Sequence, residues 1–221
     1  MEGRRRSEIL AARLSRRLRA ICYNVTYMTK VRVAVNGFGR IGRLFFKQAI
    51  ERAELEIVAI NDLGDIDNLA YLLKYDTVYG AWHEPIGVDQ AAHAFNVRGT
   101  KVVVLQEKDP TKLPWGNLKI DIVIEATGLF ESFDAAKVHI AAGAKRVVIS
   151  APSKDEDGTG ADGGKTVLMG VNDGDLAATM LTSNGSCTTN AATPVIQVMT
   201  ENPGIMKAIL NTVHGYTATQ N

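Results

Sequence analysis

The chain has 221 residues, of which 46% are hydrophobic and 22% are charged, and its formal net charge is +1. This composition is ordinary for a folded globular protein and argues against intrinsic disorder and fibrous architectures. Apolar runs such as residues 122–124 are too short to cross a bilayer, and two cysteines are too few for a disulfide framework. The sequence therefore favours a cytoplasmic protein without a membrane partner.

Positive charge is concentrated at the N-terminus. Residues 1–30 carry a net charge of +6, and the remaining residues carry −5. Leucines recur there at helical spacing between arginines, a pattern typical of organelle-targeting segments and of helices that bind anionic surfaces. Because the segment Met28-Thr29-Lys30 immediately precedes the first predicted strand, we favour a simpler interpretation: residues 1–28 are a basic N-terminal extension, either disordered or artefactual. Targeting, and contact with nucleic acid or a membrane, are the less favoured alternatives.

The first elements of the fold are predicted between residues 31 and 62. A β-branched run at 31–36 predicts a strand, the apolar stripe over 40–52 predicts a helix, and the apolar run at 55–60 predicts a second strand. A glycine-containing turn separates the first strand from the helix. This order is typical of a Rossmann-type, doubly wound α/β domain.

Further elements alternate along the rest of the chain. The patterns predict helices at 66–73, 132–142 and 188–201, a hairpin across 95–107, strands at 120–125, 146–150, 167–171 and 179–183, and a solvated loop at 153–165. A last strand, at 205–213, is predicted to begin a second domain. A lone strand and helix cannot bury both faces of a sheet, so this second domain is expected to be the incomplete start of an α+β unit.

Three glycines after the first strand have the spacing of a dinucleotide-binding turn: Gly37, Gly39 and Gly42. Glycines let the backbone approach a pyrophosphate, whose charge would be met by the amides of Arg40 and Ile41 at the helix N-terminus. Asp62, at the end of the next strand, would accept hydrogen bonds from ribose hydroxyls and repel a 2′-phosphate, which favours NAD over NADP. The alternative is a structural turn with Asp62 as a helix cap.

Cys187 and His214 form a candidate nucleophile and base. Cys187 lies between two hydroxyl residues and directly before a predicted helix, whose positive N-terminal end favours a thiolate. His214 follows 27 residues later. Taken alone, such a cysteine is as often a small buried hydrophobic residue, and such a histidine is more often a structural polar residue. The other histidines show no metal-ligand spacing, so we expect no metal site. Combined with a dinucleotide turn, the pair favours a thioester-forming aldehyde dehydrogenase.

Four motifs within residues 30–221 resemble one family: NGFGRIGR, LLKYDTVYG, SNGSCTTN and VHGYTATQ. The chain is similar to the phosphorylating, NAD-dependent glyceraldehyde-3-phosphate dehydrogenases. The resemblance implies that Cys187 is the nucleophile and His214 the base. It also implies substrate or phosphate contacts at Ser186, Thr188 and Thr217, and cofactor contacts at Arg40, Ile41, Asp62, Lys108, Thr127 and Ser150. Lys108 stands where many members have arginine, and a single-point cation there replaces a planar one.

The resemblance further implies the activity and the organisation of the chain. It implies oxidation and phosphorylation of glyceraldehyde 3-phosphate to 1,3-bisphosphoglycerate in glycolysis, with NAD, inorganic phosphate and a cysteine thioester, in a homotetramer when full length. We expect an NAD-binding domain at 29–185 and a partial catalytic domain at 186–221. The chain is expected to be truncated and inactive alone. The alternatives are erythrose-4-phosphate dehydrogenase and a non-catalytic NAD-binding module.

Overall fold

The computed structural model describes residues 29–158 and 163–215. The expected basic extension, residues 1–28, lies outside the described residues, as does part of the predicted loop at 153–165. The strands described are β1 (Val31–Asn36), β2 (Leu55–Asn61), β3 (Tyr75–Asp76), β4 (Gly80–Ala81), β5 (Ile86–Asp89), β6 (Ala94–Val97), β7 (Thr100–Leu105), β8 (Ile122–Glu125), β9 (Arg146–Ile149), β10 (Lys165–Thr166) and β11 (Leu181–Ser183). The helices are α1 (Arg40–Ala49), α2 (Ile66–Lys74), α3 (Phe133–Ala141) and α4 (Cys187–Glu201), with short 3-10 helices at Pro110–Lys112 and Asp173–Ala178.

Nine strands form one sheet in the order β10-β11-β9-β8-β1-β2-β7-β6-β5. Neighbouring strands from β10 to β7 are parallel, and β6 pairs antiparallel with both β7 and β5. The chain builds the β2 side of β1 first and then crosses to β8 on the other side. The strand order therefore reverses between β1 and β8, and ligands of such sheets bind in the crevice outside the carboxyl ends of the strands at this point. The doubly wound α/β class predicted from the sequence is confirmed.

Helices cover both faces of this sheet. Val35 of β1 is buried in a cluster with Phe46 of α1 and Leu73 of α2. The adjacent Ala34 is buried in a second cluster with Phe133 of α3. Successive side chains of a strand point to opposite faces, so one strand supplies both clusters. Because both faces of β1 are buried, its sequence is a nearly continuous apolar run and does not alternate between apolar and polar residues.

The helices begin close to the residues that the sequence predicted. The Asp65 side chain accepts hydrogen bonds from the amides of Asp67 and Asn68 at the start of α2, and Ser132 Oγ accepts from the amide of Ala135 at the start of α3. Each cap satisfies amides that have no partner within the helix. None of the helices in the two described ranges is long and apolar enough to cross a lipid bilayer.

The predicted strand at 167–171 is wrong. The strand in this region is β10, Lys165–Thr166, and the chain turns soon afterwards. The side chain of Asn172 accepts a hydrogen bond from the amide of Leu168 at 2.8 Å, and the amide of Val171 donates to the carbonyl of Leu168 at 3.1 Å. These local bonds use groups that a longer strand would offer to its neighbour. Nearby, the strand predicted at 179–183 is confirmed in its last three residues as β11.

The predicted strand at 205–213 is also wrong. These residues have no regular structure, and apolar side chains such as Met206, Ile209 and Val213 are at least 92% exposed. A β-branched segment becomes a strand only when another strand accepts its backbone hydrogen bonds. No strand within the described residues pairs with this segment.

Candidate functional site

Two of the three glycines in the turn after β1 are required by backbone packing. Gly37 has φ +92°, and a Cβ there would lie 2.6 Å from the amide nitrogen of Thr127. A Cβ on Gly42 would lie 2.1 Å from the carbonyl oxygen of Gly37. Any side chain at Gly42 would therefore push α1 away from the turn. Gly39 differs, because nothing lies within 4 Å of its ideal Cβ. The fold leaves open space above Gly39, as a backbone that receives a pyrophosphate requires.

Asp62 joins the end of β2 to this glycine turn. Its Oδ2 accepts a hydrogen bond from the amide of Phe38 at 2.7 Å, and its Oδ1 accepts from the amide of Gly64 at 2.9 Å. A carboxylate oxygen can accept two hydrogen bonds, so each oxygen keeps acceptor capacity for a ligand hydroxyl. Asp62 does not cap α2, a role that Asp65 fills.

A cavity of about 420 Å³ lies at the carboxyl ends of β1, β2, β7 and β8, beside the switch point. Five residues predicted to bind a cofactor line it: Gly37, Gly39, Asp62, Lys108 and Thr127. The structure thereby brings the glycine turn, the predicted ribose acceptor Asp62 and the cation of Lys108 together around one cavity.

The other four predicted cofactor residues are not in the lining of this cavity. Arg40 and Ile41 are the exposed first residues of α1, with their amides at the helix N-terminus. Gly42 is buried beneath the turn. Ser150 directly follows β9, and its amide donates to the carbonyl of Glu125 at 2.9 Å. These four residues therefore support or border the turn and strand ends.

Sequence reasoning missed all of the remaining lining. The missed residues are Asn36, Asn61, Leu63, Glu107, Pro110, Ala126, Leu129 and Phe130. Leu63 and Leu129 are 61% and 77% exposed, which places apolar side chains at the rim of the crevice, where a flat base could pack. Leu63 and Leu129 follow the carboxyl ends of β2 and β8, where ligands of such sheets bind, so their positions in the sequence could have identified them.

Cys187 is the first residue of α4 and is a free, exposed thiol. Ser186 caps the helix, with its Oγ accepting from the amide of Thr189 at 3.0 Å. The amide of Asn184 donates to the carbonyl of Ile149 at 2.9 Å, so α4 starts at the same carboxyl edge of the sheet as the glycine turn. The positive end of the α4 dipole therefore faces the thiol.

His214 lies on the same cavity as Cys187 although it is not in a strand. This second cavity, of about 440 Å³, is lined by Cys187, Thr188 and His214, among others. His214 Nδ1 lies 2.7 Å from the carbonyl oxygen of Gly215. A carbonyl oxygen only accepts, so Nδ1 is the donor and Nε2 of the neutral ring is free to take a proton. Thr217, the third predicted substrate contact, lies outside the described residues.

No group of three or more His, Cys, Asp and Glu side chains in residues 29–158 and 163–215 could hold a metal ion. The described residues form two candidate sites: a crevice at the switch point of the sheet, and a thiol at a helix N-terminus that shares a cavity with a histidine. These features are typical of the class of dinucleotide-binding proteins that carry a candidate cysteine nucleophile.

Comparison with known proteins identifies the family. Residues 31–133 match the family described as glyceraldehyde 3-phosphate dehydrogenase, NAD binding domain, and residues 186–221 match glyceraldehyde 3-phosphate dehydrogenase, C-terminal domain. The chain belongs to the glyceraldehyde-3-phosphate dehydrogenase family and contains its NAD-binding domain.

Curated relatives agree with this assignment. The chain is 48% identical over 193 residues to glyceraldehyde-3-phosphate dehydrogenase of Streptomyces coelicolor, and 47% identical over 195 residues to that of Clostridium pasteurianum. It is 45% identical over 190 residues to the cytosolic glyceraldehyde-3-phosphate dehydrogenase of Trypanosoma brucei brucei. These matches cover 86%, 88% and 86% of this chain and 55% of each relative. The chain thus spans about half the length of the curated relatives that it matches.

Proposed function

We propose that this chain is part of an enzyme that oxidises and phosphorylates glyceraldehyde 3-phosphate to 1,3-bisphosphoglycerate with NAD. The observation that supports this most directly is the shared cavity of Cys187 and His214, with the thiol at the N-terminus of α4. The names of the curated relatives support the substrate.

The first chemical step is the attack of Cys187 on the aldehyde. His214 Nε2 takes the thiol proton, and the Sγ forms a bond to the aldehyde carbon. The carbonyl oxygen becomes an alkoxide that accepts a hydrogen bond from the protonated imidazole. NAD, when bound, supplies the hydride acceptor for this carbon. Loss of the hydride leaves a thioester on Cys187.

The second step transfers the acyl group to inorganic phosphate. A phosphate oxygen attacks the thioester carbon, the carbon–sulfur bond breaks, and the Cys187 thiolate leaves. The product is a mixed anhydride, so the energy of oxidation is retained in the acyl phosphate. We assign Ser186, Thr188 and Thr217 to contacts with substrate or phosphate. The hydroxyl of Ser186 is oriented by its bonds to Thr189, which supports a fixed position beside the thiol.

We assign the cofactor to the cavity at the switch point. The pyrophosphate would lie over Gly39 and the amides of Arg40 and Ile41, and the adenosine ribose hydroxyls would donate to Asp62. Lys108, on the lining of this cavity, would supply positive charge. The open space above Gly39 and the free acceptor capacity of Asp62 support this fit.

The remaining features of the whole protein are part of the same proposal. We propose a cytoplasmic homotetramer, with an NAD-binding domain at residues 29–185 and catalytic-domain residues from 186 onward. The start of the C-terminal family match at residue 186 supports this boundary. The word cytosolic in the name of the Trypanosoma brucei brucei relative supports the location.

A single-turnover experiment tests the activity. The full-length enzyme that contains this chain is mixed with NAD and glyceraldehyde 3-phosphate without phosphate, and the peptides are analysed by mass spectrometry. We expect an acyl adduct on Cys187 together with NADH absorbance, and no adduct in Cys187→Ser; the 221-residue chain alone is expected to bind NAD without forming the adduct. A full-length protein that binds NAD in calorimetry but forms no adduct would instead be a non-catalytic NAD-binding protein. If erythrose 4-phosphate acylated Cys187 faster than glyceraldehyde 3-phosphate does, erythrose 4-phosphate would be the substrate.

A further inference from the structure

A buried carboxylate lies beneath the cofactor cavity. The side chain of Glu125, the last residue of β8, is 1% exposed and accepts four hydrogen bonds. Its Oε1 accepts from the amide of Thr127 at 2.8 Å and from the hydroxyl of the same residue. Its Oε2 accepts from Asn36 Nδ2 at 2.6 Å and lies 3.0 Å from His139 Nε2. Four donors compensate for the burial of a carboxylate.

The hydrogen bonds of His139 determine its tautomer. Trp115 Nε1 lies 3.1 Å from His139 Nδ1, and an indole nitrogen can only donate. Nδ1 is therefore the acceptor, and the ring proton is on Nε2, which donates to Glu125. His139 and Trp115 are both fully buried, so this chain of donors is fixed by the core. The donors to Glu125 are then neutral groups.

The same network extends to the strands on the other side of the switch point. Asn61 Nδ2 donates to Asn36 Oδ1 at 2.7 Å and to the carbonyl of Glu107 at 3.0 Å. The amide of Glu107 donates back to Asn61 Oδ1 at 2.9 Å. Glu125 thereby connects the ends of β8, β1 and β2 and the segment after β7. These are the strand ends that surround the cavity.

Thr127 has no hydroxyl proton left for a ligand. Its Oγ1 donates to Glu125 and accepts from the amide of Leu129 at 3.0 Å. A hydroxyl has one proton, and here a buried carboxylate accepts it. The side chain therefore fixes the turn from Ala126 to Leu129, a turn that also packs on Gly37. Sequence resemblance alone had placed Thr127 among the residues in contact with the cofactor.

We propose that Glu125 and Thr127 form a positioning pair for NAD. The buried carboxylate holds the turn that lines the cavity, and the Thr127 hydroxyl affects NAD binding through Glu125 and not by donating to the cofactor. This inference rests on the proposed NAD site. Glu125 and Thr127 act together, so removing either one loosens the same turn.

A double-mutant cycle tests the pair. NAD dissociation constants are measured by calorimetry well below the melting temperature for the wild type, Glu125→Gln, Thr127→Val and the double variant. We expect each single change to weaken binding by about tenfold, the usual order for a charge-assisted hydrogen bond, and the double variant to be no weaker than about tenfold. Thr127→Ser, which keeps the hydroxyl, should restore wild-type affinity. If the double variant bound NAD about a hundredfold more weakly than the wild type, the two losses would be additive, and Thr127 would contact NAD independently of Glu125. An NAD affinity of Glu125→Gln equal to that of the wild type would also overturn the pair.

Hydrogen exchange supplies a readout that does not need NAD. Thr127→Val should accelerate exchange of the Leu129 amide, and Glu125→Gln should accelerate exchange of the Thr127 amide, because each variant removes the acceptor or weakens it. If Glu125→Gln does not fold, the exchange rate of the Leu129 amide in Thr127→Val is compared with that in Thr127→Ser, which keeps the hydroxyl. Unchanged exchange in Thr127→Val would overturn the proposal. Glu56→Gln is the matched control, since its partner Arg32 lies at the other end of the strands, and it should change neither readout.

The NAD affinities and the hydrogen-exchange rates together distinguish a failure of this proposal from a failure of the proposed function. A wild-type chain that does not bind NAD would contradict the proposed function, whereas the exchange of the Thr127 and Leu129 amides would still show whether the pair holds the turn. A wild-type chain that binds NAD with no effect of either substitution would contradict the positioning pair alone.

Discussion

The carboxylate of Asp62 accepts a hydrogen bond from the amide of Phe38 at 2.7 Å. This bond connects the second strand of the sheet to the middle of the glycine turn that follows the first. The group predicted to read the ribose therefore also positions the turn predicted to hold the pyrophosphate. We therefore expect changes at Asp62 to affect both cofactor selectivity and cofactor affinity.

Asp62→Ser should narrow the preference of the chain for NAD over NADP. The wild-type carboxylate would face a 2′-phosphate at close range, and a repulsion of about 1.4 kcal/mol is enough for a tenfold preference. We expect wild-type binding of NAD to be at least about tenfold tighter than that of NADP in calorimetric titrations. Asp62→Asn is the matched variant, because it keeps the shape and removes the charge. Equal affinities of the wild type for NAD and NADP would show that Asp62 does not face the 2′ position.

Gly42→Ala and Gly39→Ala should separate stability from cofactor binding. A Cβ at Gly42 would lie 2.1 Å from a backbone oxygen, so Gly42→Ala should lower the free energy of unfolding by at least about 3 kcal/mol or prevent folding. At Gly39 there is open space and φ is −68°, so Gly39→Ala should change that free energy by no more than about 1 kcal/mol. Urea denaturation measures both variants.

Gly39→Ala should nevertheless weaken NAD binding by about tenfold or more, since the added methyl group occupies the space predicted for the pyrophosphate. Calorimetry on the folded variant checks this result. If Gly39→Ala and Gly42→Ala lost stability equally, or if Gly39→Ala bound NAD as the wild type does, the division of roles within the turn would be wrong.

Local patterns predicted the part of the fold that is built from consecutive elements. β1, the glycine turn, α1 and β2 follow from periodicity and turn chemistry within about 30 residues. The hairpin of β6 and β7 follows from two strand-forming runs that flank Arg98 and Gly99, and these elements are confirmed. In each case the partner of a strand lies nearby in the sequence or in the same βαβ unit.

Predictions that depended on distant partners were less successful. The segment 205–213 has strand-like residues, but no described strand accepts its hydrogen bonds, so propensity alone gave a wrong assignment. The hydrogen bonds of Glu125, His139 and Trp115 join residues 14 and 24 positions apart through side-chain geometry. No spacing rule in the sequence indicates that a histidine will accept from an indole and donate to a carboxylate.

Cys187 should react faster with iodoacetamide than Cys22. Cys187 is exposed at the N-terminus of α4 and shares a cavity with His214, and both features favour the reactive thiolate. At about pH 6.5 we expect labelling of Cys187 to exceed that of Cys22 by several-fold in peptide mass spectrometry. His214→Asn should slow the labelling of Cys187 and leave Cys22 unchanged. If Cys187 and Cys22 were labelled equally in a folded sample, and denaturation did not change the ratio of their labelling, Cys187 would not be the reactive thiol.

Asp121→Asn should destabilise the fold in a pH-dependent manner. Lys145 Nζ lies 2.6 Å from Asp121 Oδ1, and the Arg32 amide donates to Oδ2 at 2.8 Å. The hydrogen bond from Lys145, followed by that from the Arg32 amide, holds the pKa of the Asp121 carboxyl below its ordinary value of 3.8. A carboxyl whose pKa is lower in the folded state stabilises the protein above its unfolded pKa, and this stabilisation is lost as the pH falls through the folded pKa.

We therefore expect Asp121→Asn to lower the free energy of unfolding by about 1 kcal/mol at neutral pH, a value reduced by the partial exposure of the ion pair. The difference from the wild type should shrink as the pH falls below about 4, where the wild-type carboxyl begins to take up its proton. Urea denaturation at neutral pH and at several pH values below 4 measures the trend. Asp134→Asn is the control: the Asp134 side chain is 80% exposed beside Lys137, so its loss should cost less than about 0.5 kcal/mol. A difference for Asp121→Asn that stays constant to the lowest pH would mean that the carboxylate charge does not contribute to stability.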